Sequence, residues 1–207
     1  MVNLIIDGQH VEAEEGWTLL EAAGYYGVDI PTLCYREGLS PYSACRLCVV
    51  EVKRGARSRL VASCSCPVEE GMRVKTKTER VMKARKIIIE LMLATTPNSR
   101  TLQCLASEYG VTRIRFKGED RNCLLCGLCV RMCDEQMQGG AISFAHRGIE
   151  REVSMPFHKT PEACRECGAC LYICPVCEIP CMGPMQPGEL CNACLDAVRL
   201  DPFPSGD

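Results

Sequence analysis

Cys123-Leu-Leu-Cys126-Gly-Leu-Cys129-Val-Arg-Met-Cys133 is answered, after residues 134–163, by Cys164-Arg-Glu-Cys167-Gly-Ala-Cys170-Leu-Tyr-Ile-Cys174-Pro175. Both runs are C-x2-C-x2-C-x3-C. Three closely spaced thiolates can wrap one face of an iron–sulfur cube, and the fourth cysteine of such a run ligates the partner cube. The spacing therefore assigns Cys123, Cys126, Cys129 and Cys174 to one [4Fe-4S] centre, and Cys164, Cys167, Cys170 and Cys133 to the other. Structural zinc joins two C-x2-C knuckles and has no use for a triple run followed by x3-Cys. Two tandem copies make coincidence remote, and electron transfer is the expected activity.

Composition agrees. The chain has 207 residues, 18 of them cysteine, and opens Met-Val-Asn-Leu-Ile-Ile-Asp without a basic or apolar leader pattern. The expectation is cysteines serving as metal ligands in a reducing, cytoplasmic setting rather than as disulfides. The apolar run Ile87–Ala94 is interrupted by Glu90, so no direct membrane insertion is expected. A formal net charge of −2 gives no hint of nucleic acid, and ligand thiolates would make the loaded protein more negative. There is no G-x-G-x-x-G after a strand, no P-loop and no nucleophile with a matching base, so no catalytic residue is assigned.

At the N-terminus, Val2-Asn-Leu-Ile-Ile6, the turn Asp7-Gly8 and His10-Val-Glu-Ala13 predict a β-hairpin. Thr18-Leu-Leu-Glu21 predicts a capping box and a helix ending by Gly27. Trp17 is expected to pack at the helix entry, and His10 to be an exposed strand residue.

Cys34-x10-Cys45-x2-Cys48-x15-Cys64 follows. A hairpin and helix, then a loop with three cysteines and a fourth one strand later, is the layout of a plant-type [2Fe-2S] domain. The first interval is longer than the usual x4. Small Ser43 and Ala44 leave room for amides near the cluster sulfurs. Cys66 competes with Cys64 for the fourth position. Cys64 is preferred because Arg59–Ser63 has the pattern of the strand that delivers it, whereas Cys66 abuts Pro67.

Pro31-Thr-Leu-Cys34-Tyr, Ala44-Cys45-Arg-Leu-Cys48-Val-Val-Glu51-Val, Val61-Ala-Ser-Cys64 and Val68-Glu-Glu-Gly71-Met form a distinctive set. With Cys126-Gly-Leu-Cys129-Val-Arg-Met-Cys133-Asp-Glu135 and Ala145-His-Arg147-Gly148, they resemble the N-terminal iron–sulfur region of the large peripheral-arm subunit of respiratory complex I. They also resemble the small diaphorase subunit of NAD-linked hydrogenases. The resemblance spans roughly residues 1–176 and implies Cys64 as the fourth [2Fe-2S] ligand. The family usually carries a histidine and three cysteines for a further [4Fe-4S] cluster between the two modules. Here that segment is Thr95-Thr-Pro97-Asn-Ser-Arg100-Thr-Leu-Gln103-Cys104-Leu-Ala106, with Arg100 on a former ligand position and Cys104 on a non-ligand one. The resemblance thus implies loss of that cluster.

The helix expected over about Glu79–Ala94 has Val81, Ala84, Ile88, Leu91 and Met92 on its apolar face. The basic run Lys75–Lys86 is expected to be a solvated helix face, the alternatives being a dock for an acidic partner or positive charge offsetting the thiolates. Residues 134–163 suggest a short strand and loop, with His146 and His158 exposed. Beyond Pro175 the chain is rich in Pro and Gly and poor in apolar residues. Cys177, Cys181, Cys191 and Cys194 there, spaced C-x3-C-x9-C-x2-C, are expected to share one metal centre, zinc or a third [4Fe-4S].

The expected fold is α+β. A plant-type [2Fe-2S] ferredoxin (β-grasp) domain occupies residues 1–78 and a helical linker 79–115. A two-cluster bacterial-ferredoxin-like module spans 116–176 and a Cys-rich metal-binding tail 177–207. The expected function is that of an iron–sulfur electron-transfer subunit of a soluble oxidoreductase complex. The resemblance implies a flavin/NAD(H)-binding partner and a terminal catalytic subunit such as a hydrogenase, formate dehydrogenase or other reductase. The alternative is a free multi-cluster ferredoxin-like carrier with a zinc-organised tail, although several modules and a basic helix favour a fixed subunit.

Overall fold

The computed structural model describes residues 1–55, 57–118 and 121–176. The metal centre expected of Cys177, Cys181, Cys191 and Cys194 lies outside these residues. Strands β1 (Val2–Ile6) and β2 (Gln9–Ala13) pair antiparallel with Leu4 opposite Val11. Asp7 and Gly8 both take positive φ, 49° and 96°, which is the backbone a two-residue type I′ hairpin requires. Leu4, Ile6, Val11 and Ala13 face inwards, and His10 faces out.

Helix α1 (Leu19–Tyr25) begins at the expected capping box. The Glu21 amide donates to Thr18 Oγ1 at 3.3 Å and the Thr18 amide to Glu21 Oε2 at 2.7 Å. It ends in a Schellman arrangement: Val28 N–H reaches Ala23 O at 2.8 Å and Gly27 N–H reaches Gly24 O at 3.0 Å, with Gly27 at φ 71°. Strands β3 (Val49–Arg54), β4 (Arg57–Ala62) and β5 (Arg73–Lys75) complete a five-stranded sheet of order β2-β1-β5-β3-β4. Only the β1–β5 pairing is parallel. Its core joins Leu4, Ile6, Leu19, Val50, Met72 and Val74. Each fully buried aliphatic contributes roughly 1.5–3 kcal/mol. Trp17 packs against this core and meets Tyr25 edge-on at 5.4 Å.

Helix α2 (Glu79–Thr95) is capped by Thr78, whose hydroxyl accepts from the Val81 amide and donates to Glu51 of β3. Its buried stripe is Val81, Arg85, Ile89 and Leu93, one residue every turn. This corrects the expected face: Leu91 is 48% exposed, while Ile88 and Met92 only flank the core. It also corrects the solvated basic face at one position. Arg85 is buried, donating to Val49 O at 2.8 Å and lying 3.5 Å from Tyr109 Oη. A polar partner across the interface makes this guanidinium's burial tolerable.

Helix α3 (Arg100–Glu108) is capped by Ser99, which also donates to Pro175 O at 3.0 Å. A second core combines Leu33, Leu39 and Leu47 with Ile89, Leu93, Leu102 and Leu128. The segment expected as a linker therefore forms the middle of a continuous apolar core. Residues 134–163 supply two strands rather than one, β6 (Ser143–Ala145) and β7 (Glu152–Ser154), paired antiparallel. His146 and His158 are exposed. Among the described residues no helix is long and apolar enough to cross a membrane.

Candidate metal centres

Cys34, Cys45, Cys48 and Cys64 are all buried where the loop after α1 meets the end of β4. Their thiols pair: Cys34 with Cys45, and Cys48 with Cys64. The Cys45 thiol holds Cys34 down to about 6, helped by the Cys45 and Ala44 amides and opposed by burial. The Cys64 thiol likewise holds Cys48 down to about 6. Their donors Cys45 and Cys64 are pushed up by the same hydrogen bonds and by burial. Ser43 and Arg46 have φ of 58° and 60°, and the Leu47 amide, next after Arg46, bonds to the Cys45 sulfur and opposes its upward shift. Ser43 Oγ lies 3.3 Å from Cys64 Sγ.

Cys64 itself sits on a 3₁₀ turn, Ser63–Ser65, directly after β4. Cys66 is also buried, but its thiol faces Pro67 O at 3.8 Å and burial pushes its pKa up. The structure therefore groups Cys64, not Cys66, with the other three thiols. Four buried thiols, set in two pairs and fringed with amides, are a donor set whose chemistry suits a [2Fe-2S] group.

The two cysteine runs repeat each other in backbone as well as spacing. Leu125 and Gly127 have φ of 53° and 73°, and Glu166 and Gly168 have φ of 51° and 72°. Each glycine starts a single helical turn, α4 (Leu128–Arg131) or α5 (Ala169–Tyr172), carrying the third cysteine of its run. A π-helical turn, Met132–Gln136, continues α4 and carries Cys133 away from its own run. Cys133 then lines a cavity of about 230 Å³ together with Cys164, Cys167 and Cys170. The Ala141 amide donates to Cys133 Sγ at 3.4 Å. A Cβ on Gly139 would stand 3.3 Å from that sulfur.

At the other site, the Leu125 amide donates to Cys123 Sγ at 3.4 Å. Burial raises Cys126 to about 11 and Cys129 to about 12, and the charges of Cys123 and Cys174 add to both shifts. Cys174 is thus close to the first run, as Cys133 is to the second. Both four-thiol sets suit a soft, thiolate-liganded iron–sulfur group. Cys104 is buried on α3, with Arg100 at that helix's start.

How the two regions meet depends on residues that no motif singles out. Arg131, between Cys129 and Cys133, donates from Nη1 to Ser40 O at 2.5 Å and from Nη2 to Cys34 O at 2.6 Å. Its guanidinium also lies over the Tyr42 ring, 5.5 Å from the centroid. Tyr42 stacks on Phe144 at 5.9 Å, and Arg151 reaches Tyr42 Oη at 3.0 Å. Glu135 accepts from the Ser40 amide at 2.7 Å. The one signal in the sequence is the long interval after Cys34, whose extra residues supply Ser40 and Tyr42.

Residues 1–79 match the 2Fe-2S iron-sulfur cluster binding domain and residues 122–177 the 4Fe-4S dicluster domain. The chain is 34% identical to the NADH-ubiquinone oxidoreductase 75 kDa subunit of Reclinomonas americana, over 85% of its own length and 29% of that protein's. It is 33% identical to NADP-reducing hydrogenase subunit HndD of Solidesulfovibrio fructosivorans, covering 84% of this chain and 35% of the relative. It thus spans about a third of the length of these curated relatives. A crystal structure of NAD+-reducing [NiFe]-hydrogenase in the H2-reduced state contains a chain that aligns with a TM-score of 0.66 at 28% identity, with 74% of each chain covered. These are the two kinds of protein that the sequence motifs resemble.

Proposed function

We propose, from the homology of this chain to iron–sulfur subunits of NADH-linked oxidoreductases and NAD(P)-linked hydrogenases, that it is an electron-transfer subunit of a multi-subunit oxidoreductase. Its donor side would be a flavin/NAD(H)-binding subunit and its acceptor side a terminal catalytic subunit. Cys34, Cys45, Cys48 and Cys64 would hold a [2Fe-2S] centre. Cys123, Cys126, Cys129 and Cys174 would hold one [4Fe-4S], and Cys164, Cys167, Cys170 and Cys133 the other. When bound, such centres accept and release single electrons without moving protons. The protein's own part is to hold the thiolates, supply amides to the sulfurs and exclude water, all of which tune potential.

The observation carrying this reading is the shared cavity of Cys133 with Cys164, Cys167 and Cys170. A fourth cysteine taken from the other run is the hallmark of a paired-cube module. The chain divides functionally at about residue 78 and again at about 115, with the helices between carrying no cluster of their own. One cysteine, Cys104, cannot hold a cube. The tail cysteines Cys177, Cys181, Cys191 and Cys194 would bind zinc or a third cube.

The test is iron, sulfide and zinc content after anaerobic purification, with low-temperature EPR of the reduced protein. About ten irons per chain is expected from the two modules, rising by about four if the tail holds a cube. A stoichiometry of about six would remove one of the proposed cubes, about eight the [2Fe-2S] centre, and about two both cubes. Co-purification with a flavoprotein separates the fixed subunit from a free carrier, which would run alone.

A further inference from the structure

We infer that Arg131 is a positioning residue that raises the reduction potential of the [2Fe-2S] centre and couples that centre to the paired-cube module. This rests on the cluster assignment proposed above. Arg131 belongs by sequence to the first cube's cysteine run, yet its guanidinium reaches across to the other module. There it makes two charge-assisted hydrogen bonds to main-chain carbonyls, one belonging to Cys34, a ligand of the [2Fe-2S] set, and one to Ser40 in the same loop. Its Nε is buried and has no hydrogen-bond partner among the described residues. Glu135, one turn further on, directs its carboxylate to the Ser40 amide instead.

The consequence is electrostatic. Reduction adds one electron to the centre, iron(III) becoming iron(II), with no bond formed and no proton taken up. The cluster and its four thiolates become one unit more negative. A cation fixed against the carbonyl of a ligand residue stabilises that extra charge, and partial exclusion of water strengthens the effect. The planar fork also matters. Lys offers a point charge that can serve one carbonyl well, whereas Arg serves both at once. The same two hydrogen bonds clamp the loop of residues 34–45 onto α4, so charge and distance are set by one side chain.

The test uses the full-length, anaerobically loaded protein with Arg131→Gln and Arg131→Lys. Iron and sulfide are counted first. The [2Fe-2S] EPR signal is then titrated with dithionite and ferricyanide in the presence of mediators. The expected order of potentials is Gln below Lys below Arg. For Gln, the reduced-to-oxidised ratio at fixed poise should fall about tenfold, equivalent to 59 mV for one electron. A merely structural residue would change iron content or thermal stability without moving the potential. An unmoved potential in fully loaded R131Q overturns the inference. Should R131Q fail to load, R131K decides alone: a lowered potential supports the inference, and a wild-type value overturns it. Absence of any [2Fe-2S] signal from the unaltered protein would instead overturn the cluster assignment.

Discussion

The Ala141 amide donates to Cys133 Sγ at 3.4 Å, across the residues that separate Cys133 from the second cysteine run. The sulfur is therefore held facing the cavity of Cys164, Cys167 and Cys170 rather than its sequence neighbours. Cys133→Ser should cost the cube of the second run, lowering iron by up to about four per chain. The signals of the [2Fe-2S] centre and the Cys123–Cys129 cube should persist. Site-resolved Mössbauer or EPR spectra showing loss of the first cube instead would sink the crossed assignment.

Cys64 and Cys66 are separated by one residue yet have opposite environments. Cys64 faces Cys48 and Ser43, and Cys66 faces Pro67 O inside the sheet core. Cys66→Ala should leave iron content and the reduced [2Fe-2S] spectrum unchanged, at a stability cost of about 1 kcal/mol for a lost small buried group. Cys64→Ala should abolish that spectrum. Cys104→Ala is expected to behave like Cys66→Ala. The reverse pattern at positions 64 and 66 would move the ligand to the far side of the 3₁₀ turn.

The elements legible in advance are those specified locally. Asp7-Gly8, the Thr18–Glu21 box and the cysteine spacings each act within a few residues, so the hairpin, the helix entry and the repeated backbone of the two cysteine runs follow from short-range chemistry. Illegible are the features that depend on a distant partner. Arg85 reads as part of a solvated basic face because nothing nearby announces Val49 O, 36 positions earlier. An apolar wheel drawn without that partner centres too close to Leu91. Likewise the clamp of Arg131 on Cys34 and Ser40 joins residues more than 90 positions apart. Strand β7 escapes a reading of the sequence because Glu152-Val-Ser154 is too short to show alternation.

Arg85→Ala should destabilise the protein by about 3 kcal/mol. The substitution leaves Val49 O without its donor and opens space at the contact of α2 with β3. Because Val49 follows Cys48, cluster retention should suffer as well. Chemical denaturation followed by circular dichroism and by cluster absorbance should shift to lower denaturant together. A change below about 0.5 kcal/mol, the size of an ordinary surface substitution, would return Arg85 to the solvated face.

Glu90 accepts two hydrogen bonds from Arg115, at 2.8 and 3.1 Å, and this guanidinium holds its carboxyl below the usual range against the opposing effect of burial. A carboxyl depressed in the folded state binds fewer protons there than in the unfolded chain, so its contribution is present above the unfolded value and is lost on acidification through the folded one. Glu90→Gln should lower the thermal midpoint at pH 7, and the gap from wild type should close as pH falls below about 4. Taking the difference between two proteins at each pH removes acid lability common to both. A gap independent of pH would mean that packing, not charge, accounts for Glu90.

Gly139 and Gly140 separate two reasons for a glycine. Gly140 has φ 53° and a Cβ there would meet only Asp134 Oδ1 at 4.0 Å, so alanine is disfavoured by backbone strain alone. That costs about 1–2 kcal/mol. Gly139 carries no such φ, but its Cβ would stand 3.3 Å from Cys133 Sγ and 3.4 Å from Ala163 O, between Cys133 and the start of the second cysteine run. Its amide also donates to Cys133 O at 2.7 Å, which pins the chain in place and limits relief by shifting. Gly139→Ala should therefore release the second cube more readily, seen as faster bleaching in air and less iron per chain. Gly140→Ala should lower thermal stability while holding its full iron complement. Equal iron loss in both variants would mean that the strained turn, not the room beside Cys133, protects the cube.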